Sequence, residues 1–320
     1  LRPLMRLCGA LGGDGERRTA VIAAIFGAHL VATLFFFPPE DIVNERPVLT
    51  LDHALHFYQC SRQREAAADF AGPRLYDPYF MAGYPGGMAF DLDAKGPELW
   101  CSILRAIDTA RAYKLFIVLV YLLLFFGVYA GCRNLRCEFD ETVYALLLFL
   151  VYWHWGRPYA AQFRFAGMFS YLFACWLAFY LIGLFAAALR GERAWLLYPV
   201  GAAAFFVHPA TAVLLPVPFL ASYLVARRRL PGGDARRVWH RRVALRFVIW
   251  CLVVLAANAL WLVSFPRQFG GRTSITGYFQ IQGMGGFLDM LLKPSRLFVL
   301  PLFVFSAAGV AHLARGRRLS

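Results

Sequence analysis

Asp52, His53 and His56 lie close together in Leu51-Asp52-His53-Ala54-Leu55-His56. A carboxylate beside imidazoles supplies the residue types of general acid and base catalysis, and on a helix positions 52 and 56 share a face. Asp52 follows the first apolar block closely enough to sit at a membrane surface. There a carboxylate meets the head group of a lipid-linked substrate, as a base or as a metal ligand against phosphate oxygens. A helix cap after Thr50 is the purely structural alternative. Asp91-Leu92-Asp93 places two carboxylates on one side of an extended chain, a pattern that holds a divalent cation such as Mg or Mn, although Lys95 is an equally near partner for Asp93. Tyr76-Asp77-Pro78-Tyr79-Phe80 and Gly83-Tyr84-Pro85-Gly86-Gly87 form a turn-rich aromatic stretch, suited to stacking on sugar rings or to packing a loop onto a membrane. Arg157 and Arg164 follow Trp153-His154-Trp155 and are suited to holding a phosphate or to snorkelling at an interface. His208-Pro209 puts an imidazole at a break between apolar segments, facing a cavity or the outer surface.

The elements that must position these residues are apolar blocks. The chain of 320 residues is 60% hydrophobic with mean hydropathy +0.54, above the roughly 45–50% of soluble domains. The excess is gathered into runs of the roughly 20 residues that cross a hydrocarbon core. Backbone polar groups in lipid must be satisfied internally, and the runs do not alternate, so they predict helices and not a barrel. Spans are expected at 19–38, 113–132, 141–155, 166–189, 195–208, 210–226, 245–265 and 296–314. The fifth and sixth meet at His208-Pro209 and read as one broken helix.

Charge sets the orientation. The net charge is +14, with the arginines gathered at span ends. With the N-terminus inside, the inside segments carry 18 arginines, while the short outside segments carry few. The basic segment 227–244 is then a cytoplasmic loop, a topology determinant and a contact for anionic lipid, not a nucleic-acid site. The longest connection, 39–112, lies outside and has eleven acids against seven bases. Helices are expected in it at Leu51–Ala68 and Gly96–Ile107, the second lying on the membrane with Leu99, Trp100, Ile103 and Leu104 dipped in. The seven cysteines include no C-x-x-C pair; buried thiols are expected, with Cys60 and Cys101 the pair whose position in the outside loop permits a disulfide. The glycines Gly12-Gly13-Asp14-Gly15 lack the Lys and spacing of a phosphate loop, and no H-E-x-x-H or G-x-S-x-G occurs. The chain begins with Leu1 and ends in an Arg-rich run, which reads as a piece of a longer protein.

The inside N-terminus, one span, a long outside loop with an early Asp and then a multi-span bundle resemble the membrane-embedded C-type (GT-C) glycosyltransferases. Within that superfamily the chain is similar to the 6-pyruvoyl-tetrahydropterin-synthase-related and YfhO-like membrane proteins. Leu51–His56, Gly72-Pro73-Arg74-Leu75-Tyr76-Asp77-Pro78, Gly83-Tyr84-Pro85 and His208-Pro209 carry the resemblance. It implies an all-α polytopic protein of the cell membrane, a single transmembrane domain of about eight helices. It implies transfer of a sugar from a polyprenyl-phosphate donor to a glycan, lipid or protein acceptor on the outer face. Asp52 would be the base; His53, His56, Tyr76, Asp77, Tyr84, Arg157, Arg164 and His208 would contact substrate, and Asp91 and Asp93 would hold the cation. One departure is Tyr76, which stands where the family has Trp in its W-D-P-like motif. A transporter or flippase-like component of envelope glycan assembly, or a non-catalytic scaffold, is the alternative. Transport predicts ionisable groups deep in the spans, where only Lys114 and Asn258 stand out on inspection of the blocks.

Overall fold

The computed structural model describes residues 14–69, 75–78, 83–88, 95–155, 162–192, 194–209, 211–230 and 233–269. Helix α1 (Asp14–Phe36) leads through α2 (Pro39–Val43) to the long connection. That connection holds α3 (Asp52–Ala68), strands β1 (Leu75–Asp77) and β2 (Tyr84–Gly86), and α4 (Lys95–Ile103). The bundle continues with α5 (Thr109–Leu135), α6 (Phe139–Trp155), a π-helical turn (Gln162–Ala166) and α7 (Phe169–Leu189). It closes with α8 (Leu197–Val207), α9 (Thr211–Leu214), α10 (Pro216–Arg228) and α11 (Asp234–Phe269). The strands pair antiparallel, with Tyr76 opposite Pro85 and Asp77 opposite Tyr84.

Among the described residues four stretches are long and apolar enough to cross a membrane: Gly15–Phe36, Thr109–Leu135, Phe169–Leu189 and Asp234–Ser264. The expected short spans are shorter helices: α6 has 17 residues, α8 has 11 and α10 has 13. The last expected span, 296–314, lies outside the described residues. The break at His208-Pro209 is present. A residue before Pro is driven out of the helical region, and His208 is extended, with φ −159° and ψ 130°. One boundary differs from expectation. The basic segment is helical from Asp234 onward, so α11 starts well before 245. Asp234 in its first turn favours the helix dipole, and Trp239 is anchored by its indole N–H to the Leu189 carbonyl at 3.0 Å.

Helices α5 and α7 form the centre and make the most extensive pairing. Their backbones meet at Gly183, where an added Cβ would stand 2.8 Å from the Gly131 carbonyl oxygen. Small residues allow this approach, and in lipid such packing replaces the hydrophobic drive between helices. Tyr113, Tyr121, Phe125, Trp153, Phe163 and Phe169 fill the core around that seam. The two ends of the bundle differ. At one end Arg18 lies over Phe139, Arg136 pairs with Glu192, and Arg246 donates to the Ala188 carbonyl. At the other end helices α3 and α4 of the long connection rest on the tips of α5 and α7.

Candidate site at the loop end of the bundle

Helix α3 starts without a side-chain cap: Leu51 is the N-cap residue and Asp52 the first helical residue. The capping alternative for Asp52 therefore does not apply. Leu51 has φ 46° and ψ −123°, a conformation that a β-carbon disfavours and that costs of order 1–3 kcal/mol. The surroundings hold it in place. Gly167 has φ 81°, and a Cβ there would stand 2.7 Å from the His53 nitrogen and 3.0 Å from the Asp52 carbonyl carbon. Only a glycine lets the π-helical turn lie against the start of α3. Asp52 itself is exposed, and its carboxylate makes no hydrogen bond among the described residues.

His53 and His56 do not share that exposure; they are 1% and 2% exposed. The His53 Nε2–H donates to the Arg164 carbonyl at 3.1 Å, so Nδ1 accepts from the Tyr113 hydroxyl at 2.9 Å. Burial lowers the His53 pKa from its ordinary 6.5, which keeps the ring neutral in this tautomer. His53 stacks on Phe169, and His56 meets the same ring edge to face. Both imidazoles therefore fix the floor beneath Asp52. Arg164 enters the same place from the π-helical turn. Its guanidinium carbon lies 3.5 Å from the centre of the Phe36 ring, and Nη2 donates to the His154 carbonyl at 3.4 Å. Burial pushes its pKa below the ordinary guanidinium value. The structure thus brings the Asp52 and Arg164 segments into contact.

The other expected residues are placed as follows. Asp77 is 3% exposed and accepts from the Tyr58 hydroxyl at 2.5 Å and from Arg62 Nε at 3.2 Å. It ties the β-hairpin to α3, and its bond raises the Tyr58 pKa. Tyr76, on the opposite face of β1, is 66% exposed. Tyr84 pairs through its backbone with Asp77. His208 lies edge to face with Tyr171 in the first turn of α7. Arg157, Asp91 and Asp93 lie outside the described residues. Among the described residues no three His, Cys, Asp or Glu side chains converge as metal ligands. Lys95, the alternative partner of Asp93, is fully buried with its ammonium 4.3 Å from the centre of the Trp261 ring. Cys60 and Cys101 are both buried free thiols where α3 meets α4. Leu99 and Ile103 of α4 are exposed, whereas Trp100 points inward and donates to the Ala112 carbonyl at 2.9 Å.

A second polar group lies deeper, and inspection of the sequence missed it. His29 in α1 and His154 in α6 are both fully buried, with Nδ1 of the first 2.9 Å from Nε2 of the second. Tyr121 of α5 completes the row, its hydroxyl 2.9 Å from His154 Nδ1. One ring must donate and the other accept, so two proton arrangements fit. In one, Tyr121 donates to His154 and His154 to His29. In the other, His29 donates to His154, His154 to Tyr121, and Tyr121 to the Trp153 carbonyl at 3.4 Å. A lone His within an apolar block is the signal that could have found His29, because ionisable groups inside spans are costly to keep.

No family model, curated protein or solved structure matches this chain.

Proposed function

We propose that the chain is a membrane glycosyltransferase that moves a sugar from a polyprenyl-phosphate carrier to an acceptor hydroxyl at the loop end of the bundle. The observation that carries this reading is the placement of Asp52: an exposed carboxylate after a strained Leu51, on a floor of buried histidines, beside the segment of Arg164. Asp52 takes the acceptor hydroxyl proton as that oxygen attacks the anomeric carbon, with inversion. The bond from that carbon to the carrier phosphate breaks, and the carrier leaves as a phosphate monoester whose charge Arg164 stabilises. His53 and His56 are positioning residues, and Tyr76, on the exposed face of β1, offers its ring to a sugar. The proposal includes the eight-span C-type scaffold, the cytoplasmic N-terminus and residence in the cell membrane. A divalent cation, if Asp91 and Asp93 hold one, would neutralise phosphate charge; no step above passes through it. The test is sugar transfer from a polyprenyl-phosphate-sugar donor by the purified chain. Asp52→Asn is expected to abolish transfer without loss of folded protein, and unchanged transfer would refute the assignment.

The row His29, His154 and Tyr121 supports a second reading, proton-coupled movement of a lipid-linked glycan. Glycan translocation in vesicles under an imposed pH gradient separates the two. On this reading His29→Asn stops translocation and Asp52→Asn does not.

A further inference from the structure

A cavity of about 640 Å³ lies between α10 and α11, far along the chain from Asp52. Helix α10 packs on α7 and α11 packs on α8, so the two stand as walls over a floor that includes Phe185 and Phe205. His240, Val243, Phe247, Trp250 and Val254 line the α11 wall at alternating steps of three and four residues, one face of a helix. That stripe is about 21 Å long at 1.5 Å per residue, most of the roughly 30 Å of a hydrocarbon core. Pro216, Phe219, Leu220 and Tyr223 line the facing wall with the same periodicity. Leu220 is 58% exposed and Phe247 43%, so the groove opens sideways, toward the lipid in a membrane-embedded chain.

One end of this apolar slot is polar. The Tyr223 hydroxyl and His240 Nδ1 bridge the walls at 2.8 Å. Arg227 follows Tyr223 by one turn and Arg236 precedes His240 by one turn, each on the groove side of its helix. Arg236 gives Nη2 to the Leu230 carbonyl at 3.3 Å, while its Nε is buried without a hydrogen-bond partner among the described residues. Residues 227–246 hold eight arginines and one acid, Asp234, which faces Arg237 at 3.9 Å. An apolar slot of this length with a cationic mouth is complementary to one kind of occupant.

We propose that the groove between α10 and α11 binds an anionic phospholipid of the surrounding leaflet, its acyl chain along the slot and its phosphate between Arg227 and Arg236. The mouth is at the end of the bundle opposite Asp52, so the site is separate from the proposed donor site and does not depend on it.

The test uses the full chain in detergent with phosphatidylglycerol or phosphatidylcholine carrying a photoreactive group at the acyl terminus. Phosphatidylglycerol is expected to label the α10 and α11 walls and phosphatidylcholine to label them far less. The double variant R227Q/R236Q is expected to weaken phosphatidylglycerol binding roughly thirtyfold and to leave phosphatidylcholine unaffected. A244W, which fills the slot, is expected to remove the labelling. Should A244W not fold, the double variant decides alone, because its substitutions are at the groove mouth and not in the core. Equal labelling by the two lipids, or unchanged phosphatidylglycerol affinity in the double variant, would overturn the proposal. So would crosslinking of Cys251 in the groove to residues 296–314, which would make the occupant the chain's own segment.

Discussion

The loop end of the bundle and its arginine-rich end use polar groups in opposite ways. At the loop end many of them are buried or half-buried and bonded, although Asp52 and the Arg111–Glu45 pair are exposed. His53 joins Tyr113 to the Arg164 carbonyl. Asp77 joins Tyr58 to Arg62. Lys114 holds the Asn44 and Arg46 carbonyls at 2.5 and 3.1 Å, and Arg64 donates to the carbonyls of Ile107 and Arg105. At the other end the pairs are surface contacts: Arg136 is 65% and Glu192 37% exposed. Buried bonds are short-ranged, directional and little screened, so they fix geometry; exposed pairs contribute little and fade with salt. A reaction that needs a carboxylate held at one place belongs at the first end, and adhesion to charged lipid at the second.

Substitutions test this contrast, the largest effect first. Asp52→Asn should lower the transfer rate by at least about a hundredfold while thermal unfolding stays unchanged, since the exposed side chain supports nothing else among the described residues. A parallel loss of Tm would make Asp52 structural and erase the distinction between site and scaffold. Gly167→Ala should cost about 1–3 kcal/mol, read as a fall in Tm, because a Cβ there meets the His53 nitrogen at 2.7 Å. Activity should fall further than stability as the start of α3 moves away from Arg164. His29→Leu removes one partner of a buried bond and should cost about 1–3 kcal/mol by denaturant unfolding; a neutral result would mean that His154 finds another partner. At the arginine-rich end, Arg136→Ala should cost less than about 1 kcal/mol, and less still in high salt.

Acidity should act at the loop end. His53 is held neutral, its folded pKa lowered by burial below the ordinary 6.5. Below that value the unfolded chain takes a proton that the buried ring refuses, so stability falls as pH drops through and below about 6.5 and is fully present above it. The Tm of His53→Gln should decline less steeply over the same window. An identical decline would place the acid sensitivity elsewhere. Glu192 has the same sign in a more acidic window: its hydrogen bond to Arg190 lowers its pKa, so its contribution is present above the ordinary carboxylate range and is lost only in stronger acid.

The sequence by itself determined an all-α chain with apolar helices long enough to cross a membrane. Apolar length is a local property, and lipid leaves the backbone only helix or closed barrel, of which continuous apolar runs fit the helix. It also determined α3, from its apolar and aromatic positions, and the break at His208, because Pro209 acts on its immediate neighbour. Its picture of 234–244 as a loop gave way because arginines favour a helix as readily as a surface turn, and the Trp239 anchor comes from α7, distant in the chain. The site was legible only in part. Asp52 and Arg164 could be named by type and position, but their meeting depends on a glycine at 167 that matters only once α3 lies against it. His53, His56 and Asp77 could be named by type as substrate contacts, but that all three are buried, with His53 bonded to Tyr113 and Asp77 to Tyr58, came only from the packing. The pairing of His29 with His154, 125 residues apart, could not be read at all. Periodicity says which residues share a helix face, and only the packing of helices decides which faces meet.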